Sequence, residues 1–308
     1  MISVVIPLYN KEKQIAATLQ SVLQQSFLDF EVVVVNDGST DGSVAAAEAV
    51  QDERIRIIHQ DNAGVSAARN RGIEEARYDL IAFLDADDRW KPDYLQTQYE
   101  LTRKYPDCSV FACNYEFVHA DGSVHSTIIR KLPFEGQAGI LSNYFEVASC
   151  SHPPICSISI MVRKTAMQAI GGFPIGIQWG EDLLAWARLA YHYPIAYSTD
   201  VCASYIFEPS ATAGKLPGDI QEVPDFVGRS LMHMLQAGGG AICGLSQYVS
   251  FWFKMRAHIN IVWGNNAAAR NNAMLAIRHQ VSNIKAWAIL LLSWLPSTWL
   301  KQILKSRR

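Results

Sequence analysis

The first 85 residues alternate short apolar runs with amphipathic stretches, and this alternation restricts the fold more tightly than any other feature of the chain. Ile2–Leu8 is an apolar run closed by Tyr9 and Asn10, and it reads as a buried strand. Residues 11–25 follow with Ile15, Leu19, Val22 and Leu23 on one helical stripe. The pattern then repeats, with strands expected over 30–35, 55–58 and 80–84 and helices over 42–50 and 64–76. Strands apolar along their whole length need cover on both faces, which predicts an α/β fold with a parallel sheet joined by crossover helices. Sheets of that kind take ligands outside the carboxyl ends of their strands, so the polar residues just past those ends are the candidate site residues.

Beyond Asp85 the pattern changes. A helix is expected over 92–104, with Pro92 in its first turn. A hairpin is expected from 108–118 and 124–129 joined by Ala120-Asp121-Gly122-Ser123. A strand over 158–162 and a helix over 181–191 follow, the helix opening on two acids as its dipole favours. From about residue 215 strand signals fade into a helical region broken at Gly238-Gly239-Gly240.

With 49% hydrophobic and 18% charged residues the chain can bury a full core, which excludes general disorder. A net charge of −2 and a pI near 6.4 argue against nucleic acid as the main partner. The six cysteines form no CxxC pair and no zinc-like spacing with histidine, as expected of reduced thiols in a cytosolic protein. No basic leader precedes the first strand, and no apolar stretch reaches the roughly 18–20 residues that span a bilayer. The expected location is the cytoplasm, or the inner face of the cytoplasmic membrane. Residues 286–308 combine an apolar run with Lys301, Lys305, Arg307 and Arg308, a composition that suits an interfacial helix; packing on the domain that precedes it or on a second subunit is the alternative.

Four clusters stand at the predicted strand ends. Pro7-Leu8-Tyr9-Asn10 lacks the GxGxxG of a dinucleotide site. Asn36-Asp37-Gly38-Ser39-Thr40-Asp41 can be a tight turn that caps the next helix, and Asp37 can equally accept a hydrogen bond from the N–H edge of a nucleobase. In residues 62–72, Gly64 and its small neighbours permit close backbone approach, and Arg69 offers a cation that could face a nucleotide or lie on the surface. Asp85-Ala86-Asp87-Asp88 puts three carboxylates within four residues, which repel unless a cation neutralises them. Their spacing fits a hard divalent ion that bridges carboxylate and phosphate oxygens.

Together the four clusters resemble the family 2 glycosyltransferases of GT-A fold. A fifth match is Gly171-Gly172-Phe173 followed by Gly180-Glu181-Asp182 ahead of an amphipathic helix, so the resemblance extends to about residue 207. It implies a GT-A catalytic domain over 1–210, with a mostly parallel sheet flanked by helices, a nucleotide-binding half (1–105) and an acceptor half (106–210). A helical C-terminal region (211–308) follows, carrying the membrane-surface candidate 286–308. The implied reaction is inverting transfer of a sugar from a nucleotide-sugar, a UDP-sugar by expectation, to a hydroxyl of a glycan or lipid-linked saccharide, with Mg²⁺ or Mn²⁺. By the same resemblance Pro7 and Tyr9 line the nucleotide pocket with Ser39 and Ala86, Asp37 reads the base, Arg69 lies near base or phosphates, and Asp85 contacts ribose or sugar. Asp87 is the main metal ligand with Asp88 in support, and Asp182 is the catalytic base with Glu181 beside it. His152 and Trp179 are candidates for the acceptor pocket, and the C-terminal helices for a homo-oligomer contact. One departure from the family pattern lies in residues 173–179, which lack the usual acid and leave acceptor identity open.

The chemistry explains these groups. Displacing a nucleoside diphosphate from an anomeric carbon builds negative charge on the leaving phosphate, which a divalent cation offsets. The sugar hydroxyl needs a carboxylate to take its proton as the bond forms. A sugar nucleotidyltransferase is the enzymatic alternative, but it would want a glycine-rich loop after the first strand, and residues 7–13 contain no glycine. A membrane-associated nucleotide-sugar-binding protein without catalysis is the other; intact Asp85, Asp87 and Asp182 argue against it.

Overall fold

The computed structural model describes residues 1–177, 179–207 and 225–295. The chain divides into two compact units, Met1–Val147 with Ser151–Glu208, and Ala148–Cys150 with Pro209–Arg308. The predicted boundary near 210, and residues 296–308 of the membrane-surface candidate, lie outside the described residues.

The first unit is built on strands β1 (Ile2–Leu8), β2 (Phe30–Asp37), β3 (Ile55–Gln60) and β4 (Leu80–Phe83), joined by helices α1 (Ile15–Leu23), α2 (Ser43–Glu48) and α3 (Val65–Glu75). β1 pairs in parallel with both β2 and β4, and β2 with β3. Every residue of β2 is buried, and its four consecutive valines suit a pleated surface covered on both faces. One face of α1 packs on the sheet through Ile15, Thr18, Leu19 and Val22. α3 approaches closely because position 72 is glycine, where an added methyl would collide with Val5 Cγ1.

The chain continues through β5 (Arg89–Trp90), α4 (Tyr94–Lys104), β6 (Val110–His119), β7 (Val124–Ser126), β8 (Ala138–Ile140), α5 (Tyr144–Cys150), β9 (Ile160–Arg163), α6 (Lys164–Ala169), α7 (Glu181–His192) and β10 (Ile195–Phe207). All ten strands join one sheet, ordered β3-β2-β1-β4-β9-β6-β10-β5, with β7 on β6 and β8 on β10. The sheet is parallel through its first four strands and mixed beyond them, because β9 runs antiparallel between β4 and β6. The expected hairpin forms from β6 and β7, with Gly122 at φ 82° in its turn.

One sequence expectation is corrected here, and one strand lies outside the sequence pattern. The first helix starts at Ile15 rather than Lys11, because the Lys11 N–H donates to Ser43 Oγ (2.6 Å) instead of entering a helix. β10 carries no clear strand signal, since polar Ser198-Thr199-Asp200 interrupts it; the structure absorbs that run as register shifts against β6.

The second unit contains α8 (Phe226–Gln236), α9 (Leu245–Val262), α10 (Asn266–His279) and α11 (Ile284–Leu292). Asp225, Asn265 and Asn283 cap α8, α10 and α11 by accepting from the N–H groups of Gly228, Ala268 and Ala286. Ala257, Ile261, Ala269, Ala273 and Ile289 form its core, the alanines letting α9 and α10 approach closely. No described helix is long and apolar enough to cross a membrane.

Candidate active site

The carboxyl ends of β1, β2 and β4 open on a cleft of about 430 Å³. Asp37, the last residue of β2, is 2% exposed. Its Oδ1 accepts from Gln60 Nε2 (2.7 Å) and Ala63 N (2.9 Å), and its Oδ2 from Gly64 N (2.9 Å). Gly64 stands at φ 89°, a conformation side chains disfavour, and so turns its N–H to Asp37 before α3 begins. Pro7 and Tyr9 line the same cleft, the Tyr9 ring about half exposed. Ser39 plays a different part from a cleft wall: it accepts from Asn10 N (3.2 Å) and donates its own N–H to Asn36 Oδ1 (3.1 Å), latching the loops after β1 and β2 together.

The acids after β4 are spread by the turn that carries them. Asp88 N bonds Asp85 O (3.0 Å), and Thr18 Oγ1 on α1 lies 2.9 Å from both the Ala86 and Asp88 carbonyl oxygens. Asp87 Oδ2 is 2.5 Å from Lys11 Nζ. Asp88 is 2% exposed, and its Oδ1 accepts from Ile206 N of β10 (2.7 Å). Burial first, and then the charges of Asp85 and Asp87, hold the Asp88 carboxyl well above the usual carboxylate range. Among the described residues no group of three His, Cys, Asp or Glu stands in ligand geometry for a metal ion.

Arg69 lies 3% exposed on the first turns of α3. Its Nη2 bonds Asp85 Oδ1 (2.8 Å) and Ser157 Oγ (3.1 Å), and its Nη1 reaches Glu181 Oε1 at 3.5 Å. Burial disfavours its charge, yet Asp85 and Glu181 keep it a cation. Its guanidinium also stands 5.2 Å from the centre of the Phe173 ring. Phe173 is itself clamped by Asn70, whose Oδ1 accepts from Phe173 N and whose Nδ2 donates to Phe173 O, both at 2.8 Å. Gly172, at φ 68°, has no room for a side chain beside Asn70 Oδ1. The motif around Arg69 and the Gly-Gly-Phe motif a hundred residues later are therefore two halves of one packing arrangement.

A second cleft of about 400 Å³ is lined by Trp179, Glu181 and Asp182, with Cys156, Ser157 and Ile158 opposite. Glu181 and Asp182 open α7 after Gly180, which is left-handed at φ 82°. Burial, and then the charge of Asp182, push Glu181 up to about 7. Asp182 is raised as well, by burial, against the lowering influence of Arg69. Arg69, Asp85 and Tyr205 line both clefts, so the two spaces meet across these three side chains.

Of the residues singled out in the sequence, Pro7, Tyr9, Asp37, Arg69, Asp85, Ala86, Asp87 and Asp88 come together at the first cleft, and Trp179, Glu181 and Asp182 at the second. His152 lines neither; its Nδ1 accepts from Ile128 N (3.0 Å) and braces the segment after β7. The sequence pattern singles out neither Lys11 nor Tyr205: Lys11 falls within the first expected helix, and Tyr205 belongs to the strand that the pattern hides.

Residues 3–159, just over half of the chain, match the family described as Glycosyl transferase family 2. Glycosyltransferase GlyA of Streptococcus pneumoniae is 34% identical over 186 residues, covering 59% of this chain and 27% of that protein. Glycosyltransferase GlyG of the same organism is 34% identical over 128 residues, covering 41% of this chain and 42% of that one. The chain thus spans less than half the length of these curated relatives. A solved structure of S. aureus TarS 1–349 in complex with UDP-GlcNAc is 19% identical with a TM-score of 0.63, covering 95% of this chain and 90% of that one, and establishes likeness of fold. Open α/β sheets take ligands outside the carboxyl ends of their strands, where the first cleft lies. The chain belongs to glycosyl transferase family 2.

Proposed function

We propose that the chain transfers a sugar from a nucleotide-sugar, a UDP-sugar, to a hydroxyl of a glycan or lipid-linked saccharide, with inversion at the anomeric carbon. The observation that carries this reading is the shared wall of Arg69, Asp85 and Tyr205, with the acids after β4 on one side and the raised pair Glu181–Asp182 on the other. A donor held in the first cleft would present its anomeric carbon to an acceptor in the second. The TarS structures solved with UDP-GlcNAc and with UDP support a nucleotide-sugar in a fold of this shape.

In this reading Pro7, Tyr9 and Ala86 flank the nucleotide, and Asp37 offers its remaining acceptor capacity to the base. Arg69 holds Asp85 toward the ribose or sugar. Asp182 takes the proton of the acceptor hydroxyl while the new C–O bond forms on the face opposite the leaving group. The bond from the anomeric carbon to the phosphate oxygen breaks in the same step, and the nucleoside diphosphate departs with that electron pair. Glu181 orients the acceptor beside it, and Trp179 offers a ring face to a sugar.

The carboxylates after β4 offer the oxygen ligands that a hard divalent ion takes. Three carboxyl groups follow β4, one of them held well above its usual range by burial and then by its neighbours' charge, and the Lys11 ammonium pairs with Asp87. Asp87 would hold Mg²⁺ or Mn²⁺ with Asp88 in support, and the ion would supply Lewis-acid stabilisation of the leaving diphosphate.

The test separates the two clefts. Asp182→Asn is expected to lower transfer by roughly 10²–10⁴-fold while UDP binding persists, and Asp87→Ala to weaken UDP binding only when Mn²⁺ is present. Calorimetry and a donor-turnover assay read both. An Asp182→Asn enzyme that kept more than about a tenth of its activity would refute the base assignment.

A further inference from the structure

The charges of the chain are segregated. Residues 226–308 hold ten of its 27 Lys and Arg and none of its 29 Asp and Glu, although the whole chain has a net charge of only −2. The acid nearest that stretch, Asp225, is already committed: it caps α8, accepts from Trp252 Nε1 and pairs with Arg256 (3.2 Å). The second unit is therefore strongly cationic.

The same unit presents an apolar helix face to solvent. On α11, Ala286 and Ile289 point into the core. The opposite side carries Ile284 (80% exposed), Trp287 (43%) and Leu291 (70%), and Trp294 (71%) continues it just past the helix end. Their spacing of three, four and three residues makes one continuous stripe. Arg270 lies 4.6 Å from the Trp294 ring centre and Lys285 follows Ile284 in sequence, so cations border the stripe.

We propose that this stripe is a docking surface for an anionic phospholipid bilayer, with α11 lying in the plane of the headgroups. The chemistry is that of an interfacial helix: aliphatic groups enter the acyl boundary, tryptophans sit at headgroup depth, and the surrounding cations meet lipid phosphates. Nine residues of helix extend about 14 Å, half of a hydrocarbon core of about 30 Å, so α11 lies on the bilayer and does not span it. A second copy of the chain is disfavoured as occupant, because a two-fold contact would press one acid-free surface against another. Nucleic acid would satisfy the cations and leave the Ile, Leu and Trp side chains exposed. The surface deepens the lipid-linked branch of the acceptor reading and rests on it only for its purpose; its test needs no sugar transfer.

The test is co-sedimentation of the full chain with vesicles of phosphatidylcholine alone and with about one-third phosphatidylglycerol. The expected result is binding to the anionic vesicles alone, reversed by high salt. Ile284→Glu with Leu291→Glu is expected to weaken it by about tenfold or more. Both positions are exposed, so the circular dichroism spectrum and the UDP affinity of this variant stay at the parent values. Three outcomes overturn the proposal: no binding to anionic vesicles, binding the double variant retains in full, or a monomer–dimer equilibrium or RNA capture that the variant abolishes without any vesicle binding by the parent. Failure of the transfer reading would appear separately, as absent UDP binding or turnover with vesicle binding intact.

Discussion

Arg69 determines how readily the pair Glu181–Asp182 loses its proton. Burial raises both carboxyls, the charge of Asp182 adds to the rise at Glu181 and that of Asp85 at both, and the guanidinium is the charge that opposes it. A general base works only when deprotonated, so activity is expected to fall as pH drops through the value of the pair. Asp182 is raised above its ordinary value, chiefly by burial, so the acidic limb of kcat/KM should lie above the usual carboxylate range. Arg69→Met removes the charge that favours the ionised form, which moves the limb further alkaline by about one unit or more. A pH–rate profile of both proteins checks this, and an unmoved limb would show that the titrating base lies elsewhere. The sequence revealed Arg69 and the acids because their spacing is local. Lys11 and Tyr205 were hidden, since what matters about them is contact with Asp87 and with both clefts, over 76 and more than a hundred residues of chain.

Glu31 shows how the strands that carry those residues are fastened. The second residue of β2, it has its side chain 5% exposed, and its Oε1 accepts from Ser3 Oγ of β1 and from Arg77 N, both at 2.7 Å. Arg56 of β3 donates to its Oε2 at 3.1 Å. Burial alone would push this carboxyl up, but the bonds from Arg77, Ser3 and Arg56 outweigh it and hold Glu31 below its ordinary 4.5. A carboxyl depressed in the folded state stabilises above its unfolded value, and that contribution disappears as pH falls below about 4.5 toward the lowered value. Glu31→Ala removes the acceptor of Ser3 Oγ, Arg77 N and Arg56 Nε and is expected to cost about 3 kcal/mol at pH 7. The deficit should shrink in acid, which urea titrations at pH 7 and pH 3 would measure; a constant deficit would contradict the linkage. The elements joined by Glu31 were legible because buried parallel strands are apolar throughout. β5, β8 and β10 were not, since a two-residue strand has no period and β10 is interrupted by Ser198-Thr199-Asp200.

The fold class could be read from the first 85 residues alone, because crossover helices and buried strands fix one another's positions. The charge segregation was equally present in the sequence but invisible in its total, where acids in the first 225 residues cancel the cations that follow. Two compact units with separate cores imply that a ligand of one should stabilise that one. A nucleoside diphosphate bound only by the native cleft contributes about 2.7 kcal/mol at a hundredfold excess over its dissociation constant. For a unit of about 200 residues that amounts to a rise in melting temperature of roughly 5–10 °C. UDP with Mn²⁺ is expected to produce this rise in peptides from residues 1–207, read by hydrogen exchange along the melt, and to leave peptides from 225–295 unchanged. Asp87→Ala should abolish the part of the rise that depends on Mn²⁺. A rise confined to 225–295 would move the nucleotide site off the strand ends, and the reading built on Asp37, Asp85 and Asp87 would fall with it.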